Sequence, residues 1–77
     1  MADKKVNIEL TNDEAIVLFE FLYRFNKNDD LSRFEDLSEQ RVLWNIESVL
    51  EKKLSEPFRE DYQEILKKAR ENVLNEK

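Results

Sequence analysis

The chain contains no glycine, no cysteine and no histidine, and it has one proline, Pro57, among 77 residues. Each absence removes a class of chemistry. Without cysteine there are no disulfide staples, and without cysteine or histidine the usual zinc ligands are gone. Nucleophilic triads and thiol enzymes need those same residues and are excluded with them. Without glycine no phosphate-cradling loop of the P-loop or dinucleotide kind can form, and the tight turns that sheets rely on become scarce. Long apolar runs are missing too. The longest is five residues, Ala15 to Phe19, far short of the roughly 20 that cross a bilayer. No apolar run follows the first five residues, so no signal peptide and no membrane partner are expected, and the expected location is the cytoplasm.

What is present suits helices. Charged residues make up 40% of the chain, as well-solvated helix faces require, and the net charge is −5. A chain of this length allows one domain, 1–77, that buries only about 60% of its unfolded surface and is marginal alone. Stability then has to come from helix packing or from self-association. The chain reads as an all-α, three-helix domain with helices at about 12–27, 37–54 and 59–75, preceded by a short extended segment at 6–10.

The organising stretch is Ala15 to Phe25, AIVLFEFLYRF. On a helical wheel Asp13, Glu20, Arg24 and Lys27 share one narrow strip, and apolar residues cover roughly 260° of the rest. A surface helix usually has an apolar stripe of about 100° or somewhat more, so this helix is expected to be wrapped on several sides. Thr11 and Glu14 read as a capping box. Asn26 and Asn28 are the expected exit, because Asn tolerates the left-handed conformation that ends helices.

Before this helix, Val6, Asn7, Ile8, Glu9 and Leu10 alternate apolar and polar, the pattern of a half-buried strand. No second strand pattern appears. The segment can lie in a groove between helices, pair with the same strand of a second copy, or add to the sheet edge of another protein.

Asn28 to Asp36 is a connector in which Leu31 and Phe34 could form one helical turn over the core. Asn26, Asn28, Asp30 and Ser32 imitate the odd positions of a calcium loop, but Leu31 stands where glycine is needed and Leu37 where glutamate is needed. Asp36 with Glu39 reads as a second capping box. In the second helix Val42, Leu43, Ile46, Val49, Leu50 and Leu54 are expected to form one buried face. Pro57 should stop that helix at Glu56. In the third, Tyr62, Ile65, Leu66, Ala69 and Val73 share a face with Phe58 entering above them, and Glu64 with Lys68 forms a favourable i,i+4 pair.

No catalytic, cofactor-binding or metal-ligating constellation emerges, so an enzyme is not expected. Adjacent acids such as Asp29 with Asp30 sit in loops or at helix starts, not in the clefts that shift carboxylate pKa values. Nucleic acid is disfavoured as a partner by the negative charge and by acids interspersed among the basic residues.

Two features point instead to a protein partner. Between Asn28 and Gln40 five acids stand against Arg33 alone, a net −4. Asp29, Asp30, Asp36 and Glu39 could therefore steer a basic partner, or simply solubilise a loop and start a helix. On the second helix Trp44 lies roughly 150° from the centre of the Val42–Ile46–Leu50 face, with Leu37, Arg41 and Ser48 beside it. Trp and Arg are the residue types enriched at interface hot spots, although Trp44 could equally cover a second edge of the small core.

The segments ELTNDEAIVLFEFLYRF, EQRVLWNIESVLEKKLSEPF and DYQEILKKAR, spanning about Glu9 to Arg70, resemble a family of short, uncharacterised bacterial proteins. The shared features are the acidic start of the first helix, the Gln40–Arg41 and Leu43–Trp44 pairs, and the Glu56–Pro57–Phe58 turn. The resemblance implies a bacterial, stand-alone, cytoplasmic protein and attaches no activity, cofactor or partner to it. The leading expectation is a small acidic protein–protein interaction module of inhibitor or immunity type, acting by occupying a surface. A structural homodimer is the alternative, and an acidic nucleic-acid mimic a remote third.

Overall fold

The computed structural model describes residues 4–28 and 30–76. Three α-helices follow one another, α1 (Asn12–Asn26), α2 (Leu37–Lys53) and α3 (Tyr62–Leu74), with single 3-10 turns at Leu31–Arg33 and Glu56–Phe58. No strand occurs among the described residues.

Local chemistry sets where each helix begins. Thr11 Oγ1 accepts from the Glu14 N–H at 3.0 Å while Glu14 Oε1 accepts from the Thr11 N–H at 2.8 Å. The box is closed, and two N–H groups that the helix cannot satisfy internally are paired. That bond from the Thr11 N–H, first among its causes, holds the Glu14 carboxyl below the usual carboxylate range. At α2 the box predicted from Asp36 and Glu39 does not close. Asp36 Oδ2 accepts from the Ser38 N–H at 2.8 Å, but Glu39 reaches one residue further back, to the Glu35 N–H at 3.1 Å.

The exits differ from expectation. No described residue has positive φ. α1 leaves through Lys27, still right-handed at φ −77° and ψ −16°, so Asn26 and Asn28 are not used as left-handed caps. α2 ends ahead of the proline, at Lys53, because Leu54 turns extended (φ −101°, ψ 135°) and drops its side chain into the core. Pro57 then sits inside the 3-10 turn.

α1 packs against both α2 and α3, whereas α2 and α3 meet each other little. The core is correspondingly small: Ala15, Ile16, Phe19 and Leu22 of α1, with Leu50 and Leu54 on one side and Leu66 and Ala69 on the other. The α1 residues in it span an arc of only about 120°. The expectation of a helix enclosed over 260° is therefore too generous. Phe21 and Tyr23 are 47% and 44% exposed, because two flanking helices that avoid each other leave the rest of α1 open.

Polar clasps fix the antiparallel arrangement. Asn12 Nδ2 donates to Glu56 Oε2 at 2.9 Å, and Asn26 Nδ2 donates to Glu47 Oε1 at 2.6 Å, so the start of α1 is tied to the 3-10 turn that follows α2 and the end of α1 to the middle of α2. Against α3, Asn72 Nδ2 donates to Asp13 Oδ2 at 3.0 Å and the Tyr62 hydroxyl donates to Glu20 Oε1 at 2.8 Å. Burial, and then Glu20 beside it, raise the Tyr62 phenol above its ordinary pKa. Phe58, expected above the α3 face, is 70% exposed; Tyr62, partly buried and bonded to α1, packs against the core. The ion pairs within 4 Å among the described residues are Glu20–Arg24, Asp30–Arg33 and Arg59–Asp61. The expected Glu64–Lys68 pair is not among them.

Candidate interaction surface

α2 has one helical neighbour, and that fact divides its apolar residues. At 3.6 residues per turn, Leu43, Leu50 and Leu54 fall on one face, Val42, Ile46 and Val49 on a second, and Leu37, Arg41, Trp44 and Ser48 on a third, the faces roughly 120° apart. The first face meets α1: Leu50 and Leu54 are buried and Leu43 packs against them. The second stays open, with Val42, Ile46 and Val49 exposed by 52%, 39% and 50%. The expectation of a single buried face on α2 thus holds for only half of its members. The arc from Val42 to Leu54 is wider than one partner helix can cover.

The open face forms one wall of a groove of about 490 Å³. Leu18 of α1 lies in its floor, and Val6, Ile8 and Leu10 of the N-terminal segment supply the other wall. Nothing charged lines it. It runs into a second hollow of about 540 Å³ above Ala15 and Leu54, which shares Ile8, Leu10, Val49 and Leu50 with it. The segment itself carries no helix or strand hydrogen bonding, and Val6 and Ile8 are almost fully exposed. Apart from Asn45 its lining side chains are apolar, and it faces water, the property that marks interaction sites on small proteins.

The third face of α2 is an exposed stripe. Leu37, Arg41, Trp44 and Ser48 are all exposed, with Trp44 at 44%. Of the predicted acids, Asp30 and Asp36 lie in the turns that precede the helix and Glu39 in its first turn. Asp30 Oδ1 accepts from the Ser32 N–H at 3.0 Å and from the Ser32 hydroxyl at 2.6 Å, starting the turn at Leu31. Its hydrogen bonds from Ser32 hold its carboxyl below the usual range, and those from Ser38 do the same for Asp36. Glu39 is spent on Glu35. Asp29 lies outside the described residues. Asp30 therefore caps the 3-10 turn and Asp36 caps α2, and none of the described acids lines the groove.

Beside them is an aromatic cluster. Phe25 stacks on Phe21 at 5.5 Å between centroids and meets Phe34 edge-on at 5.8 Å. The Arg33 guanidinium lies 4.7 Å over the Phe25 ring, an attraction of ring face for cation. A turn does form at Leu31–Arg33, but it does not cover the core as expected: Phe34, just after it, is half-buried against Phe25 at the end of α1, and Leu31 is 47% exposed.

Comparison of the chain with family models, curated proteins and solved structures finds no match. Among the described residues no group of three or more Asp or Glu side chains is placed to hold a metal ion, and no helix is long and apolar enough to cross a membrane. Sequence reasoning missed the groove residues Val42, Ile46 and Val49 as surface features by assigning them to the core. The signal that could have found them was the width of α2's apolar arc, taken together with the alternation of Val6, Ile8 and Leu10 upstream.

Proposed function

We propose that the protein is a non-catalytic, protein-binding module that works through the groove between residues 6–10 and α2. One observation carries this reading: Val42, Ile46 and Val49 remain exposed opposite a still more exposed Val6 and Ile8, around a groove with no charge in its lining. Burying that apolar surface against a partner is favourable by about 25 cal/mol per Å², and Asn45 is the one polar side chain in the lining that has to be desolvated. The acidic turn before α2 and the Trp44 stripe lie on other sides of the molecule. There they are free to set solubility or steer approach.

The test pairs the wild-type chain with the double variant Val42→Asp/Val49→Asp, whose positions face the groove and not the core. Each is immobilised and offered both the host extract and a differently tagged copy of the wild-type chain. A protein retained by the wild type and lost from the variant, with helical content unchanged by circular dichroism, is the expected result. Equal retention by both removes the groove from the function.

A further inference from the structure

Resting on the groove reading, we infer that the occupant of the groove is a second copy of this chain, joined through antiparallel pairing of residues 5–9 about a two-fold axis at Asn7. Three observations lead there.

The first is the segment itself. Among the described residues, Lys4 to Leu10 make no hydrogen bond through their backbone, so a row of donors and acceptors is available as a template for another strand. In strand geometry successive side chains alternate between faces. Val6, Ile8 and Leu10 then share the face that borders the groove, and Lys5, Asn7 and Glu9 share the other.

The second is self-complementarity. A two-fold interface must match a surface to itself. Read outward from Asn7, the segment is apolar on both sides and then oppositely charged: Val6 and Ile8, then Lys5 and Glu9. Antiparallel pairing about Asn7 places Lys5 opposite Glu9 of the partner subunit, and Glu9 opposite Lys5 of the partner subunit. It also sets Val6 opposite Ile8 of the partner subunit. Opposite charges and apolar pairs in directly facing positions are the combinations that stabilise a ladder. The neighbouring register, centred on Ile8, would set Asn7 against Glu9 and Lys5 against Thr11 and form no ion pair.

The third is area. The chain exposes 6638 Å², against about 5,000 Å² for a folded monomer of its 9.3 kDa mass. The surplus exceeds the roughly 800 Å² per partner that a specific interface of standard size buries. Every residue from Lys4 to Leu10 and the open α2 face contribute to it. Two copies paired at Asn7 would bring their uncharged grooves together under one two-stranded ribbon.

Sedimentation of the full chain across micromolar concentrations tests this, and charge exchange reads the register. The wild type is expected to dimerise. Lys5→Glu and Glu9→Lys each place like charges face to face and should weaken the dimer about tenfold at low salt, and the double variant Lys5→Glu/Glu9→Lys should restore it. Because the chain has no cysteine, Asn7→Cys should give a disulfide-linked dimer on mild oxidation, while Lys5→Cys links only when combined with Glu9→Cys. A wild type that stays monomeric overturns the proposal, as does a double charge exchange that fails to restore pairing. If that monomer still retains a different protein that Val42→Asp/Val49→Asp loses, only the second copy is refuted and the groove reading stands. If the groove variant dimerises as tightly as the wild type, the second copy does not occupy the groove and this inference is overturned, while the groove reading stands or falls with the retention test.

Discussion

Ile16 and Leu22 on α1, and Val42, Ile46 and Val49 on α2, are aliphatic side chains at helical spacing with opposite fates. The α1 pair is 1% and 2% exposed; the α2 trio is 39% to 52% exposed. Composition does not separate them. What separates them is how many neighbours cover them: α1 packs closely against a helix on each flank, and α2 packs closely against α1 alone. A helix can bury no more of its surface than its neighbours cover. An apolar arc wider than that is left over, and in this protein the remainder becomes a groove. The same reasoning explains why the α1 rings Phe21 and Tyr23 are half exposed while Phe19, between the flanking helices, is buried.

The comparison can be broken most sharply by truncation. Leu22→Ala should cost about 2–5 kcal/mol, because it removes a side chain from a close-packed core and leaves a cavity. Val49→Ala should change monomer stability by no more than about 0.5 kcal/mol, as for other surface positions. Urea denaturation at low protein concentration measures both. Equal losses would mean that the α2 face is core after all.

A smaller effect tests how α1's buried side is sealed at its edge. Tyr62→Phe keeps the ring and removes the hydroxyl that donates to Glu20; it should cost about 1–2 kcal/mol at neutral pH, since the acceptor is a carboxylate. The phenol's pKa is raised in the folded state. Its contribution is therefore complete below the ordinary phenol value of about 10 and is lost as pH rises beyond it. Urea midpoints of wild type and Tyr62→Phe should converge in alkali. A gap that does not narrow at all as pH rises beyond about 10 would assign the loss to packing.

The smallest effect concerns the two helix starts. Thr11→Ala opens the closed box of α1 and should cost about 1 kcal/mol. Asp36→Ala removes a single cap from α2 and should cost less, because Glu39 bonds elsewhere and its contact with the Glu35 N–H survives. Thermal melts of the two variants at one concentration give the order, and the reverse order would show that α2's start matters more to the fold than the doubly capped start of α1.

Much of this architecture was legible one residue at a time. Thr11 and Glu14 announced the start of α1, Asp36 the start of α2, and the Leu66–Ala69 spacing the inner face of α3. The candidate site was only half legible. Trp44, Arg41, Leu37 and Ser48 could be placed on one stripe from periodicity alone, and the structure keeps them there. The groove could not be, because Val42, Ile46 and Val49 look the same in sequence whether a neighbour covers them or not. Glu39 makes the same point on a smaller scale: spacing offered it Asp36, and the geometry of the turn gave it Glu35.

The sequence by itself determined that there are three helices, where α1 and α2 begin, and which side-chain types are missing. These depend on contacts within a few residues and on which side chains exist at all. The start of α3, expected at about 59, lies at Tyr62, where no side chain caps the helix. Only the tertiary structure decided which apolar face is core and which is surface, where Phe58 points, and that α2 and α3 stand apart. Those outcomes depend on where a second and third helix lie, and burial is a property of the neighbours as much as of the residue.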